Sequence, residues 1–490
     1  MAKNKENQDD LFSVLAIRNV LRAANPWWED RSFSLDIPTF KRDSFDLALE
    51  HMTATHRLAL LINGPRRVGK TTLIYQLIQE LIRREIDPRR IMFFSLDDPL
   101  IQQLPPNEQG AFFDQILKEW ATVAGTPLRS ASQPLYCFLD EVQRLPRWEL
   151  YLKRYIDLRY PIRFVISGSA SHTIFRRSLE SLIGRLADLS LPPFTFREFV
   201  RYHHDGLSHP LLARAREPFD IGSKASVAAL YESLSRDPAF ADVPLWNRYA
   251  DEYALAGGFP QLWAMPGGLA DKASFIDEQF VRLVTLEDLR LVREIRKPEV
   301  FHRFLRYAFA RTSEEYNLEE LHKRLKASRT TLADALPLLL QTELLRKVER
   351  YTGKPTRLRS THAKLYAADP MLTQAITRRS TSLEGEDRGR IAETLVHNTI
   401  ALYKGISDIT YYRGKGGASE VDFIVHAGTS TVPIEVCYRN TVDAGHQKTV
   451  AAFVAEHGKR DAFGVLVTKE AAGLKDGVYQ IPLPFFLLTA

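Results

Sequence analysis

The chain has 490 residues, a length that predicts two to four domains, each large enough to bury its own core. Its composition, 45% hydrophobic and 26% charged, is typical of globular proteins and excludes disordered, collagen-like and fibrous classes. The net charge of +6 is too small to indicate a nucleic-acid binder by itself, and two cysteines exclude a disulfide framework or a four-thiolate zinc site. We expect a cytoplasmic protein, because no apolar stretch approaches the ~20 residues of a membrane helix and the polar N-terminus lacks a signal core.

The first chemically informative segment is a short apolar run followed by a glycine-rich loop. Residues 57–63 predict a strand, and residues 64–71 (GPRRVGKT) follow it in the pattern G-x-x-x-x-G-K-[ST]. Apolar side chains at three- and four-residue spacing predict a helix over residues 73–82. A strand, loop and helix in this order bind nucleotide phosphates, because loop N–H groups and the helix dipole point at the phosphate oxygens.

The residue types in this loop fit separate tasks. Gly64 and Gly69 let the backbone curl around the phosphates, Lys70 bridges the β- and γ-phosphates, and Thr71 ligates magnesium. A chance glycine-rich turn is the alternative, and the agreement of strand, motif and helix disfavours it. We therefore predict ATP and Mg2+ as cofactors, with these nucleotide ligands: Gly64, Arg67, Gly69, Lys70, Thr71 and Thr72.

Paired carboxylates follow the third predicted strand. A second strand is predicted over residues 91–96 and a third over residues 135–139, which runs directly into Asp140 and Glu141. Asp140 can hold the magnesium shell, while Glu141 can orient and deprotonate the attacking water. This pair favours hydrolysis over nucleotide binding alone, although a solvated acid pair at a strand end is the simpler alternative.

Two further strands carry candidate γ-phosphate groups. The fourth strand, residues 162–166, precedes Ser169, whose hydroxyl can sense the γ-phosphate or simply cap the next helix. Arg185 precedes the fifth strand, residues 187–191, at a sheet edge from which an arginine reaches the γ-phosphate of a neighbouring subunit. A surface salt bridge is the alternative for Arg185. Two other arginines compete for the same role: Arg176 and Arg177.

The order of these segments resembles AAA+ ATPases: GPRRVGKTT, CFLDEVQ, VISGSAS, SLIGR and PPFTFREF. It is similar to one prokaryotic group in which a winged helix and a C-terminal domain of unknown function, resembling restriction endonucleases, follow the ATPase. Other matching features are residues 25–28 (NPWW), 257–260 (GGFP) and 364–369 (KLYAAD). The resemblance implies an α/β fold with a P-loop AAA+ parallel sheet, a helical lid, a winged-helix domain and a C-terminal PD-(D/E)XK-like α/β domain.

These features predict five segments. They are an N-terminal segment, the AAA+ core, the helical lid, the winged helix and the endonuclease-like domain, with the respective bounds 1–55, 56–191, 192–310, 311–379 and 380–490.

Positive charge concentrates in the predicted winged helix. Residues 323–359 hold ten Lys or Arg against three Asp or Glu, a net charge of +7. Helices over residues 318–325 and 328–340 precede hairpin strands over residues 344–351 and 364–368. Lys and Arg bind DNA by neutralising phosphates, although a winged helix with a solvated basic face can serve subunit contacts instead. The predicted DNA contacts are Arg329, Lys347, Lys354 and Arg357.

Three carboxylates in the C-terminal domain resemble those of the PD-(D/E)XK nuclease core: Glu393, Asp422 and Glu435. In such nucleases the carboxylates bind magnesium, and a lysine two residues after the second acid positions the attacking water. Cys437 stands there, and a thiol with a pKa of ~8.5 is largely neutral near pH 7. One positive charge is thus expected to be missing, and Cys437→Lys to create cleavage. Candidates for a relocated charge are Lys415 and Lys448.

Three outcomes stay open for this domain: a degenerate nuclease that serves as a DNA-binding or docking module, an active nuclease with a relocated lysine, and an unrelated fold. We favour lost catalysis and treat the three carboxylates as a vestigial metal site.

Together these features predict a homo-oligomeric, hexameric, Mg-ATP-dependent AAA+ ATPase without a membrane partner. Hydrolysis is expected to drive binding, remodelling or translocation of DNA, including branched DNA. Two alternatives remain: a nucleotide-controlled signalling or defence switch that binds proteins, and an ATP-regulated nuclease.

Overall fold

The structure is a computed structural model, and its contacts divide the chain into two compact units, Met1–Pro192 and Pro193–Ala490. It describes the following residues: 14–30, 33–54, 58–105, 108–168, 181–213, 219–236, 242–282, 297–352, 362–377, 386–414, 419–458 and 461–490. Within these ranges no helix is both long and apolar enough to cross a membrane.

The first unit is built around a five-stranded sheet. Its strands are β1 (Ala59–Asn63), β2 (Ile91–Ser95), β3 (Leu135–Asp140), β4 (Ile162–Ser167) and β5 (Leu186–Ser190). All pairs are parallel and the strand order is β2-β3-β4-β1-β5. The described helices of this unit are Val14–Ala24, Ser44–Thr53, Lys70–Arg83, Pro99–Gln102, Gln109–Ala124 and Trp148–Asp157. The predicted α/β class with a parallel sheet is confirmed.

The N-terminal segment covers one edge of this sheet. β2 is an edge strand, and Trp27 and Trp28 both donate their indole N–H to the carbonyl oxygen of Ile91, at 3.0 and 2.7 Å. The Asn25 amide donates to the Phe93 carbonyl and accepts from the Phe93 N–H, at 2.9 and 2.6 Å. Unpaired edge groups invite pairing with other chains. Residues 25–28 (NPWW) therefore protect β2.

The second unit begins with a set of helices that share a core with the C-terminal residues. The described α-helices up to residue 276 are Phe196–His203, Lys224–Arg236, Val243–Ala256, Pro260–Ala264 and Leu269–Ile276, and a π-helix covers Asp277–Arg282. Buried side chains from these helices, such as Trp246 and Tyr253, belong to the same hydrophobic cluster as Phe423, Ile434 and Phe485. Their role as an ATPase lid stays a prediction.

The sheet of the second unit has nine strands. They are β6 (Glu315–Tyr316), β7 (Leu345–Arg350), β8 (Ala363–Ala367), β9 (Ile406–Arg413), β10 (Glu420–Ala427), β11 (Ser430–Cys437), β12 (Gly464–Thr468), β13 (Gly473–Lys475) and β14 (Val478–Pro482). Their order is β13-β14-β12-β11-β10-β9-β7-β8-β6. The remaining described helices are Pro298–Ala310, Leu318–Leu325, Arg329–Leu340, Pro370–Thr377, Glu386–Ile400, Ala444–His457 and Leu483–Leu487.

One strand pair joins the two segments that we predicted to be separate domains. β7 pairs in parallel with β9 through Glu349 with Thr410 and Arg350 with Tyr411. The sheet thus runs across the predicted boundary at residue 380, from the β7–β8 hairpin into the C-terminal strands. The boundaries 192–310, 311–379 and 380–490 stay predictions. Between residues 298 and 367 the order of the described elements is helix, short strand, two helices and hairpin.

Candidate active site

The phosphate loop follows β1, which lies between β4 and β5 in the first sheet. Gly64 and Gly69 have φ values of 147° and 99°, and Arg67 also has a positive φ of 65°. A Cβ at Gly64 would lie 2.1 Å from the carbonyl oxygen of Leu191, so no larger residue fits. Positive φ values in a glycine-rich loop are typical of an anion-binding nest, in which successive N–H groups point at one anion.

Lys70 opens the helix Lys70–Arg83 and reaches back over the loop. Its Nζ donates to the carbonyl oxygens of Gly64 and Pro65, both at 2.9 Å, and the residue is buried. The ammonium is therefore held above the nest, where phosphate oxygens would replace the two carbonyls. The guanidinium pKa of Arg67, in the same loop, is lowered by burial and by the neighbouring Arg66.

Asp140 joins three elements at the carboxyl edge of the sheet. Its Oδ2 accepts the hydroxyl of Thr71 at 2.7 Å, and its Oδ1 accepts the hydroxyl of Ser167 at the end of β4. The Glu141 N–H also donates to Oδ1, at 3.1 Å. The carboxylate adds to burial in raising the pKa of Tyr75. Thr71 and Asp140, the two predicted magnesium ligands, are thus in direct contact.

Glu141 directly follows Asp140 and has a left-handed backbone with φ 53°. Its carboxylate accepts a hydrogen bond from the Gln143 amide and is partly exposed. A carboxylate next to the magnesium ligands and open to solvent can orient a water molecule. Among the described residues no three His, Cys, Asp or Glu side chains are grouped to hold a metal. Magnesium would instead be held by Thr71, Asp140 and phosphate oxygens, a ligand set it commonly takes with nucleotides.

Arg185 lies at the other end of the sheet. The Ala59 N–H, at the start of β1, donates to the Arg185 carbonyl at 2.9 Å. The phosphate loop follows the opposite end of β1, and the five residues of this strand span ~17 Å. The Arg185 guanidinium forms a two-point ion pair with Asp157, Nε to Oδ1 at 2.6 Å and Nη2 to Oδ2 at 3.2 Å. This arginine lowers the pKa of the Asp157 carboxyl.

Arg185 therefore cannot reach the phosphate loop of its own chain. Three other candidates for a contact with the γ-phosphate lie outside the described residues: Ser169, Arg176 and Arg177.

Carboxylates partly neutralise the basic segment. Arg329, at the start of its helix, pairs with Glu319, and Lys347 in β7 pairs with Glu349 at 2.5 Å. Arg324 pairs with Glu320 at 2.8 Å. Four acidic residues immediately precede the segment and lower its net charge from +7 to +3: Glu314, Glu315, Glu319 and Glu320. Two predicted DNA contacts lie outside the described residues: Lys354 and Arg357.

The second unit contains a cleft of about 900 Å³ lined by Glu393, Asp422 and Glu435. Asp422 and Glu435 are linked, because the Asp422 N–H donates to Glu435 Oε2 and the Val436 N–H donates to Asp422 Oδ2, both at 3.0 Å. Glu435 Oε1 lies 2.6 Å from Nδ1 of His446, and this carboxylate raises the histidine pKa. The structure thus brings the three predicted carboxylates to one cleft.

An ammonium reaches this cleft from a place that the sequence did not suggest. Lys364 in β8 lies within 3.3 Å of three carboxylates: Glu420, Glu393 and Asp422. The expectation that the cleft lacks a lysine is therefore wrong. β8 lies close to the cleft because its neighbour β7 pairs with β9. Lys448 is exposed on the helix Ala444–His457, and Lys415 lies outside the described residues.

Two carboxyl groups in the cleft have raised pKa values, which favours their neutral form. Burial raises the pKa of Glu393 to about 7 and that of Glu435 to about 8, and the charge of Asp422 acts in the same direction. Lys364 and His446 oppose these shifts.

Sequence reasoning missed Lys364, Glu420, His446 and Gln143. Two signals were available. Lys364 interrupts an otherwise apolar strand, and a lysine in such a strand needs a charged partner. Glu420 lies two residues before Asp422, on the same face of a strand.

Known families match three parts of the chain. Residues 56–200, most of which lie in the first unit, match the model of an AAA domain. Residues 247–383 match a domain of unknown function (DUF8612), and residues 388–486 match another (DUF4143).

Two uncharacterized proteins of Methanocaldococcus jannaschii are 22% and 24% identical to this chain, over 77% and 81% of its length and 74% and 77% of theirs. An uncharacterized protein of Haemophilus influenzae is 22% identical over 77% of this chain and 82% of its own length. Among solved structures, AMPPCP-bound DnaA from Aquifex aeolicus aligns at 15% identity, TM-score 0.24, over 65% of this chain and 93% of that one. PCH-2 from C. elegans aligns at 13% identity, TM-score 0.28, over 52% of this chain and 59% of that one.

Proposed function

We propose that this protein hydrolyses ATP with magnesium at the loop of residues 64–71. The observation that carries the proposal is the 2.7 Å contact between the Thr71 hydroxyl and Asp140, beside Glu141. A metal ligand on the loop and one on the third strand, next to an acid that can act on water, form the minimum set for phosphoryl transfer to water.

Each residue has a role in this proposal. Magnesium, when bound, neutralises charge on the β- and γ-phosphate oxygens. Lys70 exchanges its two carbonyl partners for phosphate oxygens, while the loop N–H groups fix the phosphate chain. Glu141 accepts a proton from water as the water oxygen attacks the γ-phosphorus, the bond from this phosphorus to the β–γ bridging oxygen breaks, and ADP leaves. Ser167 keeps Asp140 oriented through its hydroxyl.

The catalytic unit in this proposal is a homo-oligomer, a hexamer, in which Arg185 reaches the γ-phosphate of the next subunit. Its distance from its own loop supports a role in trans. Large apolar side chains flank the Arg185–Asp157 pair, with Ile183 74% and Leu158 48% exposed. Exposed apolar residues beside a charged anchor are typical of subunit interfaces.

Hydrolysis is proposed to act on DNA, including branched DNA, through the predicted winged helix, residues 311–379. Together with the preceding helix Pro298–Ala310, its order of helix, strand, two helices and hairpin supports this proposal. Arg329 opens the second of the paired helices, where DNA-binding helices present side chains to bases. The ion pairs of Arg324, Arg329 and Lys347 favour a second candidate function, a nucleotide-controlled switch acting on protein partners.

The ATPase proposal is tested by two variants with different expected defects. Lys70→Ala should weaken nucleotide binding and abolish turnover, because it removes the phosphate-binding ammonium. Glu141→Gln should still bind ATP but hydrolyse it at least ~10²-fold more slowly, as expected when a general base is lost. Binding of a fluorescent ATP analogue and steady-state phosphate release separate the two, and full activity of Glu141→Gln would remove it from the site.

The DNA proposal is tested by the salt dependence of binding. Changing Lys347, Lys354 and Arg357 together to Ala should reduce the slope of log affinity against log salt by roughly 0.9 per lost phosphate contact. A matched control removes the same charge from three exposed lysines elsewhere in the second unit, Lys404, Lys448 and Lys475, and should leave the slope unchanged. Equal slopes for both triple variants, without stimulation of ATPase by duplex, single-stranded or junction DNA, would favour the protein-directed switch.

A further inference from the structure

The Lys364 ammonium lies against three carboxylates that line the acidic cleft. Its Nζ is 2.8 Å from Glu420 Oε1, 3.1 Å from Glu393 Oε1 and 3.3 Å from Asp422 Oδ1, and the residue is only 5% exposed. The ring of Tyr411 faces the same ammonium, with its centroid 5.5 Å away. Charged groups are buried in proteins when they are paired, and this lysine is paired three times.

Other donors of the protein also bind the carboxylates around Lys364. The hydroxyl of Tyr366 donates to Glu393 Oε1 at 2.7 Å. Asp422 Oδ2 and both oxygens of Glu435 are engaged by two backbone N–H groups and His446. Magnesium requires oxygens at about 2.0–2.1 Å in near-octahedral geometry, so it would have to displace the ammonium and break several of these bonds.

The resemblance to PD-(D/E)XK nucleases implies a metal here, and the residues do not fit one. We propose that Lys364 takes the place of the divalent cation, so that the cleft of the native protein is closed to metal and serves to fasten the β7–β8 hairpin to the helix Glu386–Ile400 and to β10. Three contacts from one ammonium join these elements, whereas a metal would need ligands that are already engaged.

The positions of the charges support the same assignment. The Lys364 ammonium lies within 3.3 Å of an oxygen of Glu420, Glu393 and Asp422, so it supplies at close range the positive charge that a bound cation would supply. Removing this one charge should open a divalent-metal site where the native protein has none.

The test is titration of the nucleotide-free full chain with Mn2+, followed by the EPR signal of free Mn2+. Native protein should show no Mn2+ binding that depends on Asp422, as judged against Asp422→Asn. Lys364→Met should bind one equivalent, at least ~10-fold more tightly than Lys364→Met/Asp422→Asn, in line with the loss of a ligand from a metal site. Lys364→Arg, which keeps the positive charge, should behave as the native protein does.

Two results would overturn the proposal: Asp422-dependent Mn2+ binding by the native protein, or no gain in Lys364→Met. If Lys364→Met does not fold, Lys364→Met/Glu420→Gln removes one carboxylate together with the ammonium and keeps Glu393 and Asp422. The same gain is expected of it. The native comparison needs no lysine variant at all, so the proposal can fail even if both variants are insoluble.

Discussion

The ammonium that contacts Glu393 and Asp422 belongs to Lys364, whereas Cys437 lies two positions after Glu435. The structure supplies an ammonium from residue 364, which is 58 residues before its partner Asp422 in the chain. Local spacing cannot reveal such a contact, because it depends on the pairing of β7 with β9.

A lysine at residue 437 should therefore destabilise the second unit and create no nuclease. Cys437 is 2% exposed and packs with Val450, Leu466 and Val478. A fully buried lysine can lose up to 3–5 pKa units, and each unit corresponds to about 1.4 kcal/mol, so Cys437→Lys should lower the free energy of unfolding by up to ~4–7 kcal/mol. Because Cys437 also lines the acidic cleft, the carboxylates there set how much of this cost appears.

Urea denaturation of Cys437→Lys is to be compared with Cys437→Ala, which removes the thiol without adding charge. Plasmid incubated with Mg2+ or Mn2+ should remain uncut by either variant. Cleavage by Cys437→Lys that disappears on Asp422→Ala would contradict this expectation and would also show that the cleft accepts a metal despite Lys364.

At the scale of elements, the parts with a strong local signal could be predicted. The five strands of the first sheet and the helix Lys70–Arg83 were predicted because apolar runs and three- to four-residue spacing are local properties. The helices Leu318–Leu325 and Arg329–Leu340 were predicted for the same reason, with Ser328 as the cap. The nine-strand sheet could not be predicted, because its joins connect residues far apart in the sequence.

Two segments noted in the sequence, 257–260 and 364–369, are joined by one buried carboxylate. Asp369 accepts the Gly258 N–H at 2.6 Å and the Met371 N–H at 2.8 Å. Burial raises its pKa to about 6, although both N–H groups act to lower it. This carboxyl holds the turn after the helix Val243–Ala256 against the start of the helix Pro370–Thr377.

The raised pKa of Asp369 has a defined effect on stability. Between pH 4 and pH 6 the unfolded chain loses this proton first, so the folded state binds more protons and stability falls as the pH rises through this window. A shift of about two units corresponds to ~3 kcal/mol. Asp369→Asn should be less stable at every pH, because an amide has one acceptor oxygen for two N–H donors, but this part of the pH dependence should be absent. Denaturation at pH 4.5 and 6.5 measures the difference, and equal pH dependence of both proteins would rule Asp369 out as its source.

At the scale of the whole molecule, the residues of the proposed ATPase site are divided between the two ends of one sheet. The phosphate loop, Asp140 and Glu141 lie at the carboxyl edge of the first sheet, and Arg185 lies at the opposite end. In a ring with head-to-tail contacts, opposite ends of neighbouring subunits meet, so each site would be completed by the next chain. Two defects on opposite ends should then complement each other.

Mixing Arg185→Ala subunits with Glu141→Gln subunits should restore part of the ATPase activity, because some interfaces combine an intact Glu141 with an intact Arg185. Random mixing gives such interfaces at up to about a quarter of the sites. Mixing Lys70→Ala with Glu141→Gln is the matched control and should give no rescue, since both residues belong to the same end of one chain. Asp157→Asn tests the salt-bridge alternative. It breaks the ion pair but keeps the arginine, so activity should persist if Arg185 acts in trans and should fall as in Arg185→Ala if the pair is only structural. Absence of rescue in mixed rings whose assembly native mass spectrometry has verified would place Arg185 outside the site.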